Sequence, residues 1–572
     1  MILLKNENKI IIAFGFHVNC NHSYRGDRND WSGFGHDTAV IRQILKTLDE
    51  ANERGLDARG VWDFDNFWSL ENCVTRYAPD VLERIKGRVA DGRDEVILGS
   101  WCNGLTGCMT DEEFDESMKR TITNDAGSGI RDVFGCYSPI VRPQEAMFTQ
   151  GSIELYRRLD VRAVCLYYSA VPFDAFRNFV PVLTPAQRHN PLILRSTESD
   201  ESILVIPTYN QGDVLDNLSF ERWLLKIRRW QETGKIPGNA LVYLNMDADA
   251  EIWTGGAAPS FLRWLPNVRG MWEFIEAVNR HEYAQFGRLG DYIEENAPAG
   301  ELRLTQDTAD GSFSGYGSWS EKAVNYRLWR IAERARWFER LSAAGMAAGG
   351  TAAEKRRKIE ELLYGRKDSY FESRLRVLST THFGLASPVI HPERLRVAFH
   401  FARTAYDRSR EALDALSEGV GVRVGGSGSA LARFRILAPR KYDSEKLHKK
   451  GVTGDAVVEA SLPRRFDGVS PGRAGLEGGG RGVVDFDVIK SEPDGWGGTR
   501  DRLYIRVSTS GAGWIDFSLM ERDGAGGADS GGVVVSENGL AGGEINVRLG
   551  GDGGVESLVF AGEEFACVGF LT

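Results

Sequence analysis

Between residues 9 and about 300, short apolar runs alternate with segments of helical spacing, and this alternation constrains the fold more than any other feature. The first run, residues 9–16, is almost continuously apolar, as expected of a strand buried on both faces of a parallel sheet. Helical spacing follows in residues 38–48, and residues 58–64 return as a strand. The pattern predicts an α/β fold, with either a parallel barrel or an open parallel sheet.

One stretch of this region predicts a strand, a loop, a helix and a second strand. The apolar run 133–139 has the character of the end of a buried strand, residues 152–159 of an amphipathic helix, and residues 163–168 of the next strand. The loop between them contains Arg142 and Glu145. Because the loops that follow the strands of a parallel barrel carry its chemistry, Glu145 is a candidate nucleophile. The alternative is a surface glutamate in a loop.

Polar and aromatic residues also cluster where other predicted strands end. They are His17 and Asn19 after the first strand, Asp63 and Asp65 after the second, Trp101 in the strand predicted at 95–103, and Asp247, Asp249 and Trp253 after the strand at 241–246. His17 and Asn19 could bind a metal or hydrogen-bond sugar hydroxyls. As a metal motif they are weak, because asparagine is a poor zinc ligand.

The amino-acid composition limits the classes of partner and the cellular compartment that we expect for this chain. A net charge of −10 argues against a nucleic-acid backbone as the main partner, and it fits a neutral glycan. The seven cysteines are odd in number and scattered, without a Cys-x-x-Cys pair, which favours a reducing compartment. No signal peptide or membrane span is predicted, so we expect a cytoplasmic protein. The oligomeric state is open, a homo-oligomer included.

The length of 572 residues predicts several domains. We expect a catalytic (β/α) domain at 1–300, a helical domain completing the cleft at 301–418, and a β-rich accessory domain at 419–572. A Gly/Ser/aromatic connector at 312–322 leads into helical patterns, which a polar, non-helical turn at 380–388 interrupts. After residue 420 short alternating strands with Gly-rich turns are predicted.

The order of these motifs along the chain resembles that of two known enzyme families. It runs from a strand ending in His17, through Gly99-Ser100-Trp101, the loop Glu145 and a strand ending in Asp247, into the helical region. Residues 9–410 resemble the retaining glycosidases of glycoside hydrolase family 57 and, more distantly, the α-mannosidases of family 38. The resemblance implies a (β/α)7-type barrel followed by a helical bundle. It also implies that Glu145 is the nucleophile and Asp247 the general acid/base.

The family 38 resemblance raises the question of zinc. His382 stands where those enzymes have a late zinc-binding histidine, but Asn19 replaces the aspartate of their His-x-Asp motif, and Glu145 stands where their zinc-binding nucleophile is an aspartate. We therefore expect no cofactor, with zinc as the less favoured alternative.

The sequence thus predicts a retaining glycoside hydrolase or transglycosylase acting on α-linked oligo- or polysaccharides. Such enzymes hold two carboxyl groups about 5–5.5 Å apart, and Asp249 is the alternative to Asp247 as the acid. The predicted substrate-binding residues are His17, Asn19, Trp101, Arg142, Asp249, Trp253 and His382. One alternative is a zinc-dependent hydrolase, a family 38-like α-mannosidase or a polysaccharide deacetylase, with His17, His22, His382 and a carboxylate as ligands. The other is a catalytically inactive glycan-binding protein.

Overall fold

The structure divides into two compact units, Met1–Leu416 and Ser417–Thr572. It is a computed structural model that describes residues 8–20, 29–30, 34–168, 183–197, 199–255, 265–302, 304, 319, 323–347, 351–383 and 392–417, together with strands between residues 432 and 570. His22, most of the connector at 312–322 and residues 384–388 of the predicted polar turn lie outside the described residues.

One mainly parallel sheet organises the first unit. Its strands are β1 Ile10–Val18, β2 Gly60–Phe64, β3 Glu95–Val96, β4 Ile140–Val141, β5 Ala163–Tyr167, β6 Leu192–Arg195, β7 Ser202–Tyr209, β8 Ala240–Asp247, β9 Ala284–Phe286 and β10 Glu301–Leu302. β1 pairs in parallel with β2, β8 and β9. β6 pairs antiparallel with β7.

Seven of these strands pair in parallel one after another. From β1 the pairings run through β8, β7 and β5 to β4. In the other direction they run through β2 to β3. A parallel bridge then joins Leu98, just beyond β3, to Val141 in β4. Because these pairings are parallel, all seven carboxyl ends share one side of the sheet.

The first unit also contains many helices. They are α1 Gly35–Glu53, α2 Thr75–Tyr77, α3 Pro79–Ala90, α4 Asp111–Ile122, α5 Ile130–Phe134, α6 Ile153–Arg158, α7 Pro185–Arg188, α8 Gln211–Asp216, α9 Phe220–Glu232, α10 Met271–Asn279, α11 Leu289–Glu295, α12 Ala323–Ala347, α13 Ala353–Tyr364, α14 Tyr370–Val377, α15 Thr380–Phe383 and α16 Pro392–Ser417. A π-helix occupies Asn66–Val74 directly after β2. The fold is thus mixed α/β, as expected. In the described chain no helix has both the length and the apolarity needed to cross a membrane.

Alternate residues of the strands belong to two apolar clusters. In β1, Ile10, Ile12, Phe14 and Phe16 join the large cluster that contains the buried faces of the helices. Their neighbours join a smaller cluster to which all seven parallel segments and α11 contribute, namely Ile11, Ala13, Val61, Ile97, Ile140, Ala163, Cys165, Ile206, Leu241, Tyr243, Leu289 and Tyr292. Because side chains alternate along a strand, the continuously apolar run at the start of the chain reflects burial on both faces.

Helix α11 closes the amino-terminal side of this sheet. Its Leu289 and Tyr292 belong to the smaller cluster. The buried carboxylate of Glu95, at the start of β3, accepts hydrogen bonds from the backbone N–H groups of Leu289 and Gly290 at the first turn of the helix. Burial raises the pKa of Glu95 despite these bonds. The polar residues at the carboxyl ends of the strands therefore lie on the opposite side of the sheet from α11.

Two local predictions were wrong. The run 133–139 is not a strand: residues 130–134 form α5, which Gly135 ends with a left-handed φ of 75°, and the strand begins only at Ile140. The apolar residues of this run cover the sheet from outside, where Phe134 packs near Phe64. Within the predicted non-helical turn, residues 380–383 form α15, which begins where the backbone N–H of Thr380 donates to the carbonyl of Asn103.

Beyond Ser417, which ends α16, the described residues of the second unit lie in strands. These are β11 Ala432–Ala438, β12 Asp455–Ser461, β13 Ala474–Gly478, β14 Val483–Val484, β15 Phe486–Pro493, β16 Thr499–Ser508, β17 Gly513–Glu521, β18 Val534–Ser536, β19 Gly539–Gly542, β20 Ile545–Leu549, β21 Gly554–Phe560, β22 Glu563–Phe565 and β23 Gly569–Phe570. They form three sheets with antiparallel pairing. The three-domain division remains a prediction.

Candidate functional site

Three ionisable side chains stand in one row across neighbouring strand ends. In the strand register His17 of β1 pairs with Asp63 of β2 on one side and with Asp247 of β8 on the other. The imidazole Nδ1 of His17 contacts the Asp63 carboxylate in a short hydrogen bond. His17 is only 1% exposed, and its Nε2 has no hydrogen-bond partner among the described residues. A buried nitrogen of this kind is suited to a ligand or a water molecule.

A buried arginine joins this row to the end of β4. The Arg142 guanidinium donates from Nε to the side-chain oxygen of Asn245 over 2.8 Å, and another nitrogen lies 3.4 Å from the Tyr167 hydroxyl. Burial alone would lower the pKa of Arg142, but the charges of Tyr167, Asp63 and Asp247 hold it well above its usual value. Arg142 is therefore a permanent cation at the centre of the site.

Asn245 completes the connection between Arg142 and the His17–Asp63 pair. Its Nδ2 donates to the Tyr243 hydroxyl over 2.9 Å and lies 3.5 Å from the other oxygen of Asp63. Gly15, its register partner in β1, leaves the space for this amide, since a Cβ there would lie 2.4 Å from Nδ2 and 2.6 Å from the Tyr243 hydroxyl. A glycine is therefore required at position 15, because a larger residue would collide with Asn245 and Tyr243.

Glu145 lies in a tight turn directly after β4. Its backbone is left-handed, with φ 54° and ψ 29°, and Ala146 follows with φ 48°. Its half-buried carboxylate accepts a hydrogen bond of 3.2 Å from the Gln144 amide, whose oxygen in turn accepts one of 3.1 Å from Arg142. Two consecutive non-glycine residues with positive φ are uncommon, and such strain concentrates at functional sites.

The predicted acids at the end of β8 differ in their surroundings. Asp247 is half-buried, lies in the row with His17, and acts on Arg142 through its charge. Asp249 is also half-buried, but its charge acts on Cys20. The pKa of that thiol is raised by its hydrogen bond with Cys73, by burial and by nearby acids including Asp37 and Asp249. Asp247 thus lies beside His17 in the strand register and interacts with Arg142 through its charge.

The other predicted binding residues lie in different places. Asn19 is half-buried just after β1. The Trp101 ring is buried against Phe67, with a centroid distance of 5.1 Å, beneath the Arg120 guanidinium. The expectation for Trp253 needs correction: its indole is 2% exposed and packs between Phe14 and Phe16, so it supports the sheet and offers no face to a sugar.

His382 reaches the site side of the sheet from the helical region. Its ring meets Trp68 of the π-helix at 6.0 Å in an edge-to-face arrangement, and Phe401 of α16 lies 6.2 Å away. Burial lowers the pKa of His382 to about 4, so the imidazole is neutral at physiological pH. Trp68 also contacts Phe67, which touches Trp101. His382 and Trp101 therefore border one aromatic cluster beyond β2 and β3.

Among the residues that the structure describes, no group of three His, Cys, Asp or Glu side chains is arranged to hold a metal ion. His17 is paired with Asp63, whereas His382 contacts Trp68. His22, the third proposed ligand, lies outside the described residues.

Sequence reasoning assigned no role to Gln144, Tyr167 or Asn245, yet all three contact Arg142. The best sequence signal was Asn245, a single amide inside the otherwise apolar strand 240–246. Tyr167 closes an apolar strand and carries no distinguishing pattern.

Solved structures share the fold at low sequence identity. An α-mannosidase from Enterococcus faecalis V583 aligns with a TM-score of 0.54 and 12% identity, over 98% of this chain and 62% of that chain. This chain therefore spans less than two thirds of that enzyme's length. No family model matches the sequence, and no curated protein matches it either.

Two further similar structures are those of a branching enzyme and a glucanotransferase. A GH57 branching enzyme from Thermococcus kodakaraensis aligns with a TM-score of 0.48 and 12% identity, over 71% of this chain and 94% of that one. A 4-α-glucanotransferase from Thermococcus litoralis aligns with a TM-score of 0.46 and 11% identity, over 90% and 100%. The expected resemblance is confirmed: an α-mannosidase and GH57 enzymes both appear among the similar structures, and the first likeness establishes the fold.

Proposed function

We propose that this protein is a retaining glycoside hydrolase or transglycosylase that acts on α-linked oligo- or polysaccharides. The observation that carries the proposal is the strained turn at Glu145, whose carboxylate is connected through Gln144 to Arg142, the same cation on which Asp247 acts. Two carboxyl groups at the carboxyl ends of parallel strands can supply the nucleophile and the acid/base that double displacement needs.

In this proposal Glu145 is the nucleophile. Its carboxylate attacks the anomeric carbon while the carboxylic acid of Asp247 gives its proton to the leaving oxygen, and Asp247 then takes a proton from water or a sugar hydroxyl as the second displacement releases the product. The Gln144 N–H, oriented by Arg142, donates to the Glu145 carboxylate and so helps to orient it.

His17 and Asn19 are proposed to bind sugar hydroxyls beside these acids. The unpartnered Nε2 of His17 supports this role, because Asp63 fixes the ring and leaves that nitrogen for a ligand. We further propose that the seven parallel strands form a (β/α)7-type barrel, that 301–418 completes the cleft, that 419–572 is an accessory β-rich domain, and that the protein works in the cytoplasm without a cofactor.

The decisive experiment is hydrolysis of a panel of α-linked gluco- and manno-oligosaccharides, with the anomeric form of the first product read by proton NMR. We expect retention of configuration. Glu145→Gln should lower kcat at least about a thousandfold, since an amide cannot attack the anomeric carbon, and Asp247→Asn should also abolish turnover of unactivated substrates. Glu301→Gln, which changes a surface glutamate paired with Arg195, should remain as active as the natural protein.

Two results would refute the proposal. Inversion at the anomeric carbon would exclude the double displacement, and full activity of Glu145→Gln would exclude Glu145. Activity lost on chelation and restored by zinc would favour a zinc-dependent hydrolase instead, whereas glycan binding without turnover of any sugar in the panel would favour an inactive binding protein.

A further inference from the structure

A basic cavity of about 390 Å³ lies on the surface of the helical region. It is lined by Arg327 of α12 and by Arg396, Phe399, His400 and Arg403 of α16. The four residues of α16 follow the spacing i, i+3, i+4 and i+7, so they form one face of that helix. Arg327 faces them from the neighbouring helix, with its guanidinium 5.5 Å from the centre of the Phe399 ring.

This cavity is separate from the candidate catalytic site. Phe401 is the residue of α16 that contacts Trp68 and His382. Successive residues of an α-helix are turned by about 100°, so Phe401 lies roughly 200° around the helix from both Phe399 and Arg403. The basic face of α16 is therefore turned away from the aromatic cluster beside the sheet.

The charge of the cavity is unusual for this protein. Three guanidinium groups and an imidazole line it together with one aromatic ring, although the chain carries a net charge of −10. No described carboxylate lines the cavity. Asp407, one turn beyond Arg403, interacts with that arginine through its charge but is not part of the lining. Arg396 and Arg403 have further contacts, and an arginine has five N–H donors with which to make several at once.

We propose that this cavity binds a small molecule through its phosphate group. Guanidinium groups recognise phosphate by paired, charge-assisted N–H···O bonds, and three of them converge here from two helices. The volume exceeds what one phosphate occupies and falls within the range of small-molecule sites, about 300–1,000 Å³. The ligand is inorganic phosphate or a phosphate monoester whose remaining part fills the cavity beside Phe399. The inference does not depend on the proposed glycosidase activity.

The test is isothermal titration calorimetry on the full-length protein at constant ionic strength. Inorganic phosphate, glucose 1-phosphate and glucose are the three probes, and sodium chloride keeps the ionic strength constant. We expect saturable binding of both phosphorylated probes and none of glucose at this site. Equal affinity for the two would identify free phosphate as sufficient, whereas tighter binding of glucose 1-phosphate would identify a monoester. Arg327→Gln and Arg403→Gln should each weaken binding about tenfold.

Arg330→Gln is the matched control. Arg330 also belongs to α12 and also lies over an aromatic ring, that of Tyr326 at 5.8 Å, but it does not line the cavity. Its replacement should leave the affinity unchanged. Circular dichroism should establish that each variant is folded, and Arg403→Gln keeps the test informative if Arg327→Gln disturbs the Phe399 contact.

The proposal is overturned if the natural protein shows no saturable binding of either phosphorylated probe. It is equally overturned if Arg330→Gln weakens binding as much as Arg327→Gln does, because the effect would then be one of general surface charge. Heparin, titrated in the same way as a separate probe, would also overturn the proposal if it bound where phosphate did not, because the surface would then suit extended polyanions.

Discussion

At the scale of single residues, Glu145 and Ala146 show how the site departs from what local propensity favours. Left-handed backbone costs roughly 1–2 kcal/mol for each ordinary residue, and these two adopt it in succession, at φ 54° and 48°. Neither is glycine or asparagine, the residues that tolerate this conformation best. The strain persists because buried neighbours on both sides, Gln144 and Met147, hold the turn in place. Under the proposed function, this backbone aims the nucleophile.

Alanine substitutions at Gly15 and Gly87 should change the free energy of unfolding in opposite directions. Gly15→Ala should lower the free energy of unfolding by about 1–3 kcal/mol, since a Cβ would meet the Asn245 amide at 2.4 Å. Gly87→Ala, inside α3 and with no atom within 4 Å of the added Cβ, should raise it by about 0.5–1 kcal/mol. Urea denaturation measures both. Equal effects of the two substitutions would mean that Gly15 does not make room for the network.

Some residues of the site followed from the sequence, and others could not. The positions of Glu145, Arg142, His17 and Asp247 at strand ends were predictable because apolar runs precede them in the sequence. Asn245 and Tyr167 required the register between strands, since their role is defined by contact with Arg142. Trp253 was assigned to sugar binding from residue type, but the aromatic residues Phe14 and Phe16 bury it, which a single sequence does not reveal.

At the scale of elements, one buried arginine ties three helices of the first unit together. Arg374 of α14 is fully buried and bonds Glu113 of α4 at 3.0 Å and Glu333 of α12 at 2.7 Å. Glu113 also accepts the first backbone N–H of the capping box that begins α4. The ion pair between Arg374 and Glu113 therefore joins the helical region to a helix that flanks the sheet.

Removing that arginine should be costly. Arg374→Met leaves the buried Glu113 carboxylate without its cation, so the free energy of unfolding should fall by about 3–5 kcal/mol. Arg336→Met, which removes a partly exposed partner of Glu333 at 3.2 Å, should change it by less than about 1 kcal/mol. Chemical denaturation of both variants decides between these values, and similar losses for the two would contradict the assigned role of burial.

The elements that could be predicted were those with long, regular patterns. β1, β8, α1 and α16 appear where apolar runs and helical spacing indicated them. β3 and β4 pair over only two residues each, and strands so short are defined by their neighbours rather than by composition. For the same reason an apolar stretch such as 133–139 does not distinguish a strand from the buried face of a short helix.

At the scale of the whole molecule, two buried histidines should make the fold sensitive to acid. Burial lowers the pKa of His189 to about 3 and that of His382 to about 4. An unfolded histidine titrates near 6.5. Between these values the unfolded chain binds protons that the native state excludes, so stability is fully present above pH 6.5 and is lost as the pH falls. Each histidine should contribute about 1.4 kcal/mol per pH unit in this window.

The slope of unfolding free energy against pH, measured between pH 6.5 and 5, tests this linkage. His382→Gln should reduce the slope by about 1.4 kcal/mol per pH unit, which corresponds to one proton. An undiminished slope in His382→Gln would show that this imidazole is not held neutral in the native state.

The side of the sheet that α11 covers limits the directions in which a long glycan could move past the proposed acids. Leu289 and Tyr292 of α11 fill that side, and Glu95 fixes the helix there. A polymer therefore has no passage along the strand direction and cannot be threaded from one side to the other. Under the proposed function the sugar chain lies across the strand ends, and product leaves by the opening through which substrate arrived.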